Sequence, residues 1–113
     1  MAEDEMKSGL GVDHPLKPWN NVAIGAGATC NVIWCRGYAR KSIYFLTNTD
    51  GNITIAVDPT GGGDWVTIVQ DNAIGVRAAA NPYTRLIEYG FTYMRVTFSA
   101  AATVTLMVDR SSP

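Results

Sequence analysis

The chain has 113 residues, 47% of them hydrophobic and 17% charged. Surface scaling gives roughly 6,000 Å² folded against roughly 17,700 Å² unfolded, so about two-thirds is buried and one core can form. This composition excludes a disordered chain and an apolar transmembrane helix, and the net charge of −1 excludes the positive field that non-specific nucleic-acid binding requires.

The first residues, Met1-Ala2-Glu3-Asp4-Glu5, are acidic where a secretory signal is basic and then apolar, so the expectation is a protein made without export. Residues 1–18 are polar, with Gly9, Gly11, Pro15 and Pro18 breaking any period, and read as an extended arm. Residues 19–113 read as the folded domain. Leu16 and Trp19, beside Pro15 and Pro18, suggest a docking point at the root of the arm.

From Trp19 onward the apolar residues alternate with period two, the mark of strands. A strand is expected over residues 31–38, then a tight turn at Ala39-Arg40-Lys41. Residues 42–48 and 52–58 flank Thr49-Asp50-Gly51, and Asp-Gly between alternating runs signals a hairpin. Pro59 and the run Gly61-Gly62-Gly63 form a loop before a strand over residues 64–70. Residues 73–85 read as a short strand and a loop, and residues 86–88 as another short strand. Met94, Val96 and Phe98, then Val104, Leu106 and Val108, mark the inner faces of two last strands, joined at Ser99-Ala100-Ala101-Ala102 as a hairpin. Short strands without helices give an all-β fold: a single antiparallel β-sandwich of jelly-roll type with an extended N-terminal arm.

Chemistry-bearing residues are sparse. Cys30 and Cys35 are expected as reduced, buried thiols on opposite faces of one strand, too far apart to pair. With His14 as the lone histidine they do not make a metal set. Asp58 and Asp64 bracket the glycine loop and are a candidate Ca²⁺ pair. Trp34, Trp65, Tyr44, Tyr83, Tyr89 and Tyr93 are candidates for a sugar-stacking platform, and Arg36, Arg40 and Lys41 form a basic cluster. No nucleophile and base are spaced for catalysis, so neither an enzyme nor a cofactor is expected.

The stretch Gly90-Phe91-Thr92-Tyr93-Met94-Arg95-Val96-Thr97-Phe98-Ser99-Ala100-Ala101-Ala102-Thr103-Val104-Thr105 resembles the end of small all-β tailed-phage virion proteins of the head-decoration or minor-capsid type. Asp64-Trp65-Val66-Thr67-Ile68 extends this likeness of texture over about residues 42–109. The resemblance implies a bacteriophage capsid decoration protein, a non-enzymatic cement located in the virion. Its partners would be the major capsid protein or other virion subunits, and it would form a homo-oligomer, a trimer being favoured, without nucleic acid or membrane. On that reading Leu16 and Trp19 anchor the arm, while Arg40 and Lys41 are partner contacts at a loop tip. The same Asp-Gly turn, Trp strand and Arg-Val strand also resemble discoidin-like carbohydrate-binding sandwiches, the alternative function.

Overall fold

Alternation of buried and outward residues, one per pleat, organises the chain into strands. The computed structural model describes residues 5–6, 16–70 and 82–111. In these the strands are β1 (Glu5–Met6), β2 (Leu16–Ile24), β3 (Ala28–Thr29), β4 (Val32–Trp34), β5 (Arg40–Thr47), β6 (Ile53–Asp58), β7 (Val66–Gln70), β8 (Tyr83–Ile87), β9 (Tyr93–Phe98) and β10 (Ala102–Ser111).

One sheet runs β2-β10-β5-β8 and the other β4-β9-β6-β7, with β3 also along β9. Pairing is antiparallel except where β1 lies parallel to β4, Glu5 opposite Val32. With β3 and β4 taken as one interrupted strand, these two orders are those of a jelly roll. The fold expected from alternation alone is therefore the fold observed.

Inward residues of both sheets form one core. Ile43 and Phe45 of β5 meet Leu106 and Val108 of β10 on one side; Ile53 and Ile55 of β6 meet Met94, Val96 and Phe98 of β9 on the other. Phe45 joins the layers, its ring centroid 4.8 Å from that of Phe98 and 6.2 Å from that of Trp19.

Neither expected hairpin forms. β5 and β6 lie in different sheets, as do β9 and β10, so residues 48–52 and 99–101 each carry the chain across the sandwich. The two crossings are stitched together: Asn52 N donates to Ser99 Oγ (2.8 Å), Ser99 N to Asn52 O (3.0 Å), and Thr103 N to Asn48 Oδ1 (2.9 Å). Gly51 is needed for space rather than for positive φ, because a Cβ there would lie 2.7 Å from the Phe98 ring.

Other boundaries shift for local reasons. Gly37, at φ 87°, turns the chain earlier than expected, so Arg40 and Lys41 belong to β5 and not to a turn. β8 begins at Tyr83, before the expected 86–88. β2 begins at Leu16, inside the stretch read as an arm; residues 7–15, most of the expected arm, and residues 73–81 of the unclear segment lie outside the described residues. Cys30 and Cys35 do not take opposite faces. The strand breaks after Thr29, and both thiols are buried and free.

Candidate functional site

The sandwich end opposite the two crossings holds the least expected chemistry. The inward alternation of β5, Ile43 and Phe45, continues to Lys41, and that of β10, Leu106 and Val108, continues to Arg110. The two cations are register partners on neighbouring strands, and both side chains are 0% exposed. Lys41 is therefore not the loop-tip contact expected from sequence: Gly37 ends the turn early and places it inside.

Each cation is held by neutral groups. Lys41 Nζ donates to Tyr38 O (3.0 Å) and Tyr89 O (2.6 Å) and lies 4.3 Å from the centroid of the Phe91 ring. Arg110 Nη1 donates to Trp34 O (2.6 Å), and its Cζ lies 4.4 Å from the centroid of the Tyr38 ring. Carbonyl dipoles and ring faces thus replace part of the lost hydration. No carboxylate among the described residues pairs with either cation; Arg40, the outward neighbour of Lys41, pairs instead with Glu88 at 3.3 Å across the exposed edge. Desolvation lowers the Lys41 pKa, with only the Cys35 thiol acting in the opposite sense.

The nearby cysteines are not nucleophiles. Burial raises Cys35 to about 12 despite the opposing influence of Lys41 and Arg110. Burial likewise raises Cys30 to about 11, against backbone hydrogen bonds and Arg95. A thiol is reactive as its thiolate, so both behave as small apolar fillers.

The glycine loop is occupied by its own anion. Burial acts to raise the Asp58 pKa, but donors from Gly63 N (2.9 Å), Gly61 N (3.0 Å), Thr60 N (3.1 Å) and Thr60 Oγ1 (3.3 Å) outweigh it and lower the value. Gly61 and Gly63 adopt φ of 81° and 93°, which aims those amides inward. Asp64 Oδ2 accepts from Thr60 Oγ1 at 2.6 Å. Converging N–H donors are the reverse of a cation site, so the candidate Ca²⁺ pair is instead a turn lock.

Sequence-marked aromatics do not converge on one platform. Trp34 and Tyr93 pack edge to face on the β4-β9 sheet at 5.6 Å, and Arg95 covers Trp65 at 4.1 Å. Tyr44 faces outward from β5, Tyr83 is half-buried on β8, and Tyr89 lies in the loop after β8. Leu16 packs partly against the core, and Trp19 is buried in it against Phe45. Thr92 is buried, its hydroxyl donating to Pro59 O at 3.2 Å.

The outer face of the β2-β10-β5-β8 sheet is different again. Tyr44 and Leu46 of β5, Thr105 and Met107 of β10, and Thr84 and Leu86 of β8 face outward. Tyr44 is 38% and Leu86 54% exposed. They rim a shallow hollow of about 270 Å³ with Ser42, Ile43, Thr84 and Arg85. Charge is close by: Arg85 lines the hollow, and Asp109 lies opposite Ser42 on the same face. Compared with known protein families and with curated proteins, the chain matches no family model and no curated sequence.

Proposed function

We propose that this chain is a non-enzymatic structural protein of a virion, a capsid decoration protein that binds capsid subunits and copies of itself through sheet-face contacts. The observation that carries this reading is the outward row of Tyr44, Leu46, Leu86 and Met107, apolar or aromatic side chains on one sheet face. A flat apolar strip bordered by polar residues is the anatomy of a protein contact. Sheet order adds support by analogy, because jelly rolls are frequent in viral capsid domains, although a fold by itself does not fix function. The thiols raised to about 11 and 12 are not activated as nucleophiles, and Asp58 is bonded within its own loop.

A second copy is the first occupant proposed for the strip, in a small ring for which a trimer is favoured. Light scattering after size exclusion tests this with the full chain and with Leu86→Glu. The expected result is a discrete oligomer that Leu86→Glu reduces to monomers while leaving the circular-dichroism spectrum unchanged. A wild-type monomer at all concentrations would contradict self-association through this face.

A further inference from the structure

The polar groups of Arg110 are unequally used. Nη1 donates to Trp34 O at 2.6 Å, whereas Nε and Nη2 are buried without a hydrogen-bond partner. Those two nitrogens form one edge of the guanidinium. Their N–H bonds point the same way, the fork that takes two oxygens of a carboxylate or phosphate side by side. Native proteins rarely leave such donors unmet, and where they do an ion or water is a frequent reason. Here the group is also a full charge with a second buried cation, Lys41, opposite it in register and no carboxylate paired to either among the described residues.

We propose that this end of the sandwich is an oxyanion-binding site, in which the Nε–Nη2 edge of Arg110 grips a carboxylate or phosphate group and Lys41 adds the second positive charge. One ligand would meet both open donors and offset two buried cations, whereas a neutral water would offset no charge. The turns around Gly37 and Gly90 at this end are exposed. Both turns are tied to Lys41 Nζ through Tyr38 O and Tyr89 O, so a ligand at Arg110 would also tighten them. The site does not depend on the virion reading: it concerns the sandwich end, not the outer strip, and its ligand is an anion rather than an apolar surface.

The test uses the full chain in a chloride buffer, titrated separately with acetate and with inorganic phosphate at constant ionic strength. The Arg110 Nε–H resonance is followed by NMR, and melting temperature is followed in parallel. A saturable shift of that resonance with a rise in melting temperature is expected from at least one anion, and which anion acts identifies a carboxylate or a phosphate ligand. Arg110→Lys keeps the charge but loses the fork, and should weaken binding about tenfold or more. Should that variant not fold, the wild-type resonance still decides. The proposal is overturned by a wild-type resonance indifferent to both anions. Equal affinity in wild type and a folded Arg110→Lys would also overturn it.

Discussion

The two ends of this sandwich close the same alternating strands by opposite means. At the end of the crossings, Thr47 occupies the inward position of β5, and its hydroxyl donates to Thr49 O at 2.8 Å while accepting from Thr49 N at 3.1 Å. Both of those bonds are neutral and local. At the far end of the same strand, Lys41 takes the inward position and reaches carbonyls 3 and 48 residues away in sequence. One end is sealed by a turn that satisfies itself; the other is sealed by buried cations that pull distant turns together. An inward position at the margin of a core therefore need not be apolar, provided that its polar atoms find partners. Arg110 meets that condition only in part.

The core between the ends sets the scale for perturbing either. Phe45→Ala should cost about 3–5 kcal/mol in urea unfolding, since it opens a cavity where the two layers meet. Lys41→Met should follow at about 2–3 kcal/mol, because it keeps the apolar bulk but leaves the Tyr38 and Tyr89 carbonyls unpaired. A cost near zero would mean that the cation does not tie the turns. At the neutral end, Gly51→Ala should cost about 1–3 kcal/mol by forcing the Phe98 ring aside. Thr47→Val should cost about 1 kcal/mol through its lost hydrogen bonds.

Alkaline titration gives a further test. The thiols of Cys30 and Cys35 ionise near 9.0 when unfolded and near 11 and 12 when folded. Their contribution to stability is complete below pH 9.0 and is lost as pH rises through the folded values. Lys41 acts in the opposite sense: its folded pKa lies below 10.5, so its contribution is present above 10.5 and falls as pH drops through the folded value. Cys35→Ala should therefore flatten the alkaline loss of stability measured by urea unfolding, on top of the cost of truncating a buried side chain at every pH. An unchanged alkaline slope would break this assignment.

Much of this was written in the sequence, although not always where local signals pointed. Period-two spacing gave the strands and the jelly roll because inward residues such as Val104, Leu106 and Val108 must share one face. The same spacing runs on to Arg110, and from Phe45 and Ile43 back to Lys41; only the habit of placing charge in turns hid the cationic end. The Asp50-Gly51 and Ser99–Ala102 turns were visible as turns. Whether a turn folds a strand back within its sheet or carries it across depends on long-range pairing, Thr47 with Val104 and Ile53 with Phe98, which no short window contains. The Asp58 lock was hidden for another reason: a carboxylate before glycines looks the same whether it awaits a cation or accepts their amides.

A double-mutant cycle on Lys41 and Arg110, in chloride buffer free of carboxylate and phosphate, tests most directly whether this end holds two uncompensated cations. Each single change to Met removes the same mutual repulsion, so that gain is counted twice in the sum of the singles but once in the double variant. The double variant should therefore be less stable than the sum predicts, by about 1 kcal/mol. Additivity, or a double variant more stable than the sum, would contradict the account.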